Sequence, residues 1–319
     1  MPKSWIFNKS YISVDQIKNR QQVDEIFKTA DLIKTKVLKH EVYEPLKGMC
    51  VAILFYQPST RTFTSFEAAS RRLGAYTIAV HGMAQYSSVA KGETLEDTIR
   101  SIYQTTGCDA IVIRHPDNNS SEIASSISDV PIINGGSGTA EHPTQALLDL
   151  YTIHDNFKSI DKLNVVMVGD LLYGRTTKSL AKLMATVCKG VKITFVSPKE
   201  LMCPRDFVGK IKGKVKFKET DNLTSVLASA DVVYMTRVQK EWFEKSGKLD
   251  EYERLKDRFV LTRHMVSLMK KKAIVMHPLP RVGEILHEVD EDSRAKYFEQ
   301  MRSGLYVRMA ILKSILCVG

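Results

Sequence analysis

The sequence predicts an α/β protein of two doubly wound domains, each with a mostly parallel sheet flanked by helices, linked by interdomain helices. Three observations predict it. Short apolar runs alternate with amphipathic segments along most of the chain. The runs fall into two series separated by one sustained helical pattern, "TQALLDLYTIHDNF", which starts at Thr144. Clusters of arginine and hydroxyl residues directly follow several runs, where open α/β sheets bind their ligands.

In the first series, strands are expected at Cys50–Phe55, Tyr76–Val80, Ala110–Ile113 and Pro131–Asn134. In the second they are expected at Val165–Gly169, Lys192–Val196, Val215–Lys218, Val232–Met235, Phe259–Thr262 and Ala273–His277. Helical spacing marks Thr62–Leu73, Thr94–Gln104, Thr144–Phe157 and Thr176–Cys188 between them. Near the N-terminus Ile17, Val23, Phe27, Ala30 and Val37 lie roughly on one face, which predicts an amphipathic helix packed on the first domain. The C-terminal pattern "AKYFEQMRSGLYVRMAILKSILC" is also helical and long enough to return to that domain. The expected domains are therefore 1–150 with the helix at about 295–319, and 151–294.

A chain of 319 residues, 44% hydrophobic and 26% charged, can bury two cores of ordinary size. No apolar run approaches the roughly 20 residues of a membrane span, so no membrane partner is expected. The opening "MPKSWIFNKSYISVDQ" lacks the apolar core of a signal peptide. Five scattered cysteines, never in a C-x-x-C pair, read as reduced thiols of a cytoplasmic protein. A net charge of +10 fits nucleic-acid binding, a basic cleft for small anions, or a solvated basic surface. The basic residues are spread out, with no run longer than Lys270–Lys272, so nucleic acid is not expected as a partner.

The densest cluster is "FYQPSTRTFTSFE". Ser59 or Thr60 can cap the helix that follows, while Arg61 and Thr62 add donors beyond what a cap uses. A helix N-terminus with that excess of donors suits an anion. Ser87 and Lys91 lie in the loop "YSSVAKGETLED", which by itself reads as solvated. Arg114 and His115 close the run "AIVI". His142 and Gln145 are three apart at a helix start, so both can face one side.

"GDLLYGRT" comes close to a P-loop, but Arg175 stands where that motif needs lysine and Asp170 would repel a triphosphate. A guanidinium there suits a carboxylate better. Arg237 and Gln239 follow the run "VVYM", and Pro278 and Leu279 follow "AIVMH", where prolines remove donors and leave carbonyls to accept from an amine. No carboxylate pair, metal-ligand spacing or serine nucleophile elbow occurs, so no metal and no cofactor is expected. The inventory points to charge stabilisation of anionic substrates.

Taken in order, "STRTFTSFE", "KGETLEDT", "IRHP", "EHPTQALLDL", "MVGDLLYGRT", "YMTRVQKE" and "MHPLPRVGEI" resemble the aspartate/ornithine carbamoyltransferase family over most of the chain. The resemblance implies carbamoyl phosphate and L-aspartate as substrates and a place in pyrimidine biosynthesis. Aspartate is the implied acceptor because Pro278 stands where ornithine enzymes carry cysteine, and Arg237 suits a side-chain carboxylate. Ser59, Thr60, Arg61 and Thr62 would hold the phosphate, with Arg61 near the bridging oxygen. Thr62, Arg114 and His142 would polarise the carbonyl, and Gln145 would bind the carbamoyl amino group. Arg175 would clamp the α-carboxylate of aspartate, Arg237 and Gln239 its β-carboxylate, and the carbonyls of Pro278 and Leu279 would orient amino groups. The family also implies a homotrimer with shared active sites, in which Ser87 and Lys91 reach into the site from a neighbouring subunit, Ser87 to carbamoyl phosphate and Lys91, also catalytic, to both substrates.

Overall fold

A computed structural model of the chain describes residues 10–317; the expected end of the C-terminal helix at 319 lies outside them. Helices of eight residues or more are numbered below. The chain divides into two compact units, one running to Tyr151 and resuming at Arg302, the other Thr152–Met301.

The first unit opens with α1, Arg20–Leu38. It continues with β1 (Cys50–Phe55), α2 (Thr60–Arg72), β2 (Tyr76–His81), α3 (Leu95–Thr106), β3 (Ala110–His115), α4 (Ser120–Ile127) and β4 (Ile132–Ser137). The four strands pair in parallel in the order β2-β1-β3-β4. Chain order therefore reverses between β1 and β3, the switch point at which such sheets open a crevice. Val51, Ile53, Ile111, Val112 and Ile133 are fully buried, as both-face coverage of a parallel sheet demands.

The N-terminal helix differs from the pattern expected. Asn19 caps α1 through a reciprocal bond with Gln22, which leaves Ile17 before the helix, as the C-cap of a preceding turn at Val14–Gln16. Ile17 is buried there, outside the helix, and Val37 is only half-buried. The buried stripe is Val23, Ile26, Phe27, Ala30 and Ile33, and Phe27 meets Tyr151 edge-on at 5.3 Å. Helix α5 (Pro143–Phe157) continues past Tyr151 into the second unit, and the last helix, α7 (Tyr297–Leu316), returns at Arg302.

The second unit holds β5 (Asn164–Val168), α6 (Arg175–Val187), β6 (Lys192–Val196), β7 (Lys216–Thr220), β8 (Val232–Met235) and β9 (Ile274–Met276). All pair in parallel in the order β7-β6-β5-β8-β9, with the switch point between β5 and β8. Two parallel sheets flanked by helices bear out the expected fold class.

The strand expected at Phe259–Thr262 does not form. Leu261 is fully buried but makes a single parallel bridge to Ile285, because Thr262 turns the chain into a short helix by accepting the Met265 N–H at 3.2 Å. Among the described residues no helix is long and apolar enough to cross a membrane, and all five cysteines are free.

Candidate active site

In the first unit, Ser59, Thr60, Arg61 and Thr62 follow β1 and Arg114 lies near the end of β3, the two strands beside the switch point. His142, beyond β4, meets Thr62, whereas Ser87 and Lys91 lie on a separate turn after β2. Ser59 occupies the N-cap position of α2 in extended conformation, yet its hydroxyl makes no capping bond. The first-turn N–H groups and the positive end of the helix dipole at that position favour an anion. Thr60 is exposed, Arg61 half-buried and Thr62 buried. Thr62 Oγ1 lies 3.5 Å from Nε2 of His142, which is itself buried just ahead of α5. Arg114, the penultimate residue of β3, donates from Nη1 to the Gly135 carbonyl at 3.1 Å. That bond fixes one face of its guanidinium against β4.

Gln145 lies in the first turn of α5, one turn before Asp149. Its amide Nε2 donates to Asp149 Oδ1 at 2.8 Å, with both side chains buried. Ser87 accepts from Val89 N–H at 3.2 Å and donates to the Met83 carbonyl at 2.6 Å, which rigidifies a short turn. Lys91 is exposed at the end of that turn.

In the second unit, Arg175, Arg237 and Gln239 follow β5 and β8, the two strands that flank its switch point. Gly169 has φ 113°, and a Cβ there would lie 2.2 Å from the Thr236 carbonyl, so only glycine lets the two strand ends approach so closely. Beyond it, Asp170 is fully buried and accepts from the Tyr173 N–H at 2.9 Å and the Gln239 N–H at 3.3 Å. Burial raises its pKa, and these donors partly oppose the rise. The residue that argued against a P-loop is therefore the tie between the Arg175 loop and the Gln239 loop, which sequence reasoning did not anticipate. Arg175 opens α6 and is half-buried; desolvation pushes its guanidinium down to about 10, which leaves it charged at neutral pH.

Arg237 forks onto the carboxylate of Glu241, with Nη1 to Oε2 at 2.9 Å and a second short bond between Nη2 and Oε1. Burial would raise the Glu241 pKa, but the Arg237 bonds hold it below the usual carboxylate range. The fork thus already grips a carboxylate in the geometry expected for a substrate.

Pro278 and Leu279 leave β9. Leu279 has φ 52°, in the left-handed region, and precedes a cis peptide to Pro280. Its N–H donates to His277 Nδ1 at 2.7 Å, and His277 Nε2 meets Glu284 Oε1 at 2.6 Å, both side chains buried. Glu284 Oε2 also accepts the Val282 N–H at 2.8 Å. A buried imidazole and carboxylate therefore hold both halves of the loop that carries the two carbonyls. Among the described residues no group of His, Cys, Asp and Glu could hold a metal ion.

Fold and donor sets together define a class: a two-domain α/β protein with a donor-rich helix terminus at one switch point and, at the other, an arginine that forks onto a carboxylate. Residues 9–155 match the carbamoyl-phosphate-binding domain, and 161–315 the aspartate/ornithine-binding domain, of the aspartate/ornithine carbamoyltransferases. The chain belongs to the aspartate/ornithine carbamoyltransferase family.

It is 43% identical over 299 residues to the chloroplastic aspartate carbamoyltransferase of Arabidopsis thaliana, covering 93% of this chain and 75% of that one. It is 44% identical over 312 residues to the multifunctional protein pyr1-3 of Dictyostelium discoideum, covering 98% of this chain. The chain spans only 14% of the length of that relative, and likewise 14% of the multifunctional protein ura1 of Schizosaccharomyces pombe. Among solved structures, it is similar to the aspartate transcarbamoylase of Trypanosoma cruzi in complex with carbamoyl phosphate and aspartate. The TM-score is 0.92 at 38% identity, over 99% of both chains.

Proposed function

We propose that the chain transfers the carbamoyl group of carbamoyl phosphate to the amino group of L-aspartate, giving N-carbamoyl-L-aspartate and phosphate, a step of pyrimidine biosynthesis. The observation that carries this is the approach of Thr62 Oγ1 to His142 Nε2, 3.5 Å apart beside the donor-rich start of α2 at the first switch point. It occurs in a chain 38% identical to a protein whose structure holds both substrates.

Ser59, Thr60, Arg61 and Thr62 bind the phosphate, joined by the N–H groups of the first turn of α2. Thr62, Arg114 and His142 donate to the carbonyl oxygen, and Gln145 accepts from the carbamoyl NH2. Arg175 binds the α-carboxylate of aspartate; Arg237 and Gln239 bind the β-carboxylate, the former releasing Glu241 to do so. The carbonyls of Pro278 and Leu279 orient amino groups.

The neutral amine attacks the carbonyl carbon, a C–N bond forms, and the oxygen gains a negative charge. As the intermediate collapses, the C–O bond to phosphate breaks and the amine proton leaves with the phosphate. Loss of one donor to the oxyanion typically costs about 3 kcal/mol, because such donors need no reorganisation as the charge grows.

The active assembly is a homotrimer in which Ser87 and Lys91 serve a neighbour's site. The exposure of Lys91 on a turn that its own unit leaves outward supports this. Five free cysteines support a cytoplasmic location, while several plant relatives are named chloroplastic. The test is competition between acceptors: with labelled carbamoyl phosphate and equal aspartate and ornithine, label should enter carbamoyl-aspartate. Transfer to ornithine would overturn the acceptor assignment, and sedimentation of a monomer at full activity would overturn the trimer.

A further inference from the structure

The primary amide of Gln145 presents an acceptor at one end and two donors at the other, and rotating it by half a turn exchanges them. A carbamoyl NH2 is a donor, so only the Oε1 end can recognise it. In the folded chain the Nε2 end is already committed, donating to Asp149 Oδ1 at 2.8 Å. Asp149 is fully buried and sits one helical turn further along α5. Its opposing charge is Arg308 of α7, which is 3% exposed and whose guanidinium desolvation pushes down to about 10 against the attraction of Asp149.

Arg308 is itself held. Nη1 donates to Ser65 Oγ of α2 at 2.7 Å, and the guanidinium lies 5.1 Å from the Phe66 ring centroid. Gly304 makes room for it, since a Cβ at that position would lie 2.7 Å from Nη1. A carboxylate facing that guanidinium is an acceptor only, so the flipped amide would set Gln145 Oε1 against Asp149 Oδ1. Two buried acceptors in contact, each deprived of water, are strongly disfavoured.

We propose that Asp149 is a positioning residue that locks the Gln145 amide with Oε1 turned away from it, and so sets the preference for a carbamoyl over an acyl phosphate. This deepens, and rests on, the carbamoyl transfer proposed above. Arg308 and Gly304 act through Asp149, and the lock is complete within the first unit.

The probe is acetyl phosphate, which replaces the NH2 by a methyl group of similar size that cannot donate. Affinities for carbamoyl phosphate, acetyl phosphate and inorganic phosphate are measured by calorimetry on the full chain and on Asp149→Asn. The wild type should prefer carbamoyl to acetyl phosphate, and Asp149→Asn should lose roughly tenfold of that preference, as one hydrogen bond commands. Inorganic phosphate should bind both proteins equally. A general loosening of the fold would weaken all three ligands together and overturn the assignment, as would an unchanged preference. A wild type that binds neither acyl phosphate overturns the underlying function as well.

Should Asp149→Asn fail to fold, the wild type labelled with 15N at glutamine provides the second measurement. The Gln145 side-chain NH2 protons should exchange slowly with water both before and after carbamoyl phosphate is added. Fast exchange in the free protein, or exchange that becomes fast on addition of carbamoyl but not of acetyl phosphate, would overturn the lock.

Discussion

His277 and Glu284 form a buried pair, Nε2 to Oε1 at 2.6 Å, and the imidazole's other nitrogen accepts the Leu279 N–H. Because Nδ1 accepts, the ring proton sits on Nε2 and points at the carboxylate. The pair therefore fixes a tautomer and, through it, a leucine held at φ 52°, a conformation that costs a residue with a side chain on the order of 1 kcal/mol. Glu284→Ala leaves the imidazole without its buried partner, and removing one member of such a pair typically costs about 3 kcal/mol. The expected result is a lower melting temperature and, in the folded fraction, a raised KM for aspartate. Phosphate affinity should not change, because no residue of this pair belongs to the first unit. Calorimetry with inorganic phosphate and initial rates against aspartate separate the two effects.

Oxyanion stabilisation is assigned to Arg114 and His142 together with Thr62. His142→Ala and Arg114→Ala should each lower kcat by roughly a hundredfold, about the effect of losing one aimed donor. The KM for aspartate should stay nearly constant. A variant that loses affinity for aspartate while keeping kcat would move the residue from the chemistry to the acceptor site.

Arg237 forks onto Glu241, whose two oxygens take both arms of the guanidinium, and the proposed function has it take the β-carboxylate of aspartate in the same way. Arg237→Lys keeps the charge and loses the fork. A lost charge-assisted bond of about 2 kcal/mol should raise the KM for aspartate about thirtyfold. A KM within twofold of the wild type would show that charge alone is read at this position.

Acid should weaken the second unit before neutral conditions do. Asp290 takes the Arg281 guanidinium on both oxygens and a bond from Tyr297. Mainly through the Arg281 bonds, its pKa is depressed to about 2, and that of Glu284 is depressed in the same direction by His277 against the effect of burial. Carboxylates with folded pKa values below their unfolded ones contribute stability above about pH 4, where the unfolded chain is also ionised. The contribution falls away as pH drops from about 4 towards about 2. Denaturant midpoints should accordingly fall between about pH 4 and about 2, and Asp290→Asn should flatten that fall; an equal slope in the variant would contradict it.

The sheets and the donor clusters were legible because each signal is local. Apolar runs such as "CVAILF" end directly in their polar cluster, so one stretch reports both the strand and the crevice at its end. Phe259–Thr262 carried the same apolar signal and failed, because the Thr262 cap competes with strand extension and wins. The supporting carboxylates were not legible for the opposite reason. Asp149 reads as one polar residue on a helix, Asp170 as an objection to a P-loop, and Glu284 as part of a loop. What each does depends on partners brought near by folding: Arg308, Gln239 and His277.

Carbamoyl transfer to aspartate can be followed in a single incubation. Purified protein is given carbamoyl phosphate labelled with 13C, together with aspartate, and followed by 13C and 31P spectroscopy. The carbonyl signal should move to that of carbamoyl-aspartate while one equivalent of phosphate appears, and His142→Ala should slow both equally. Phosphate released without carbamoyl-aspartate, or label passing to ornithine in preference to aspartate, would contradict it.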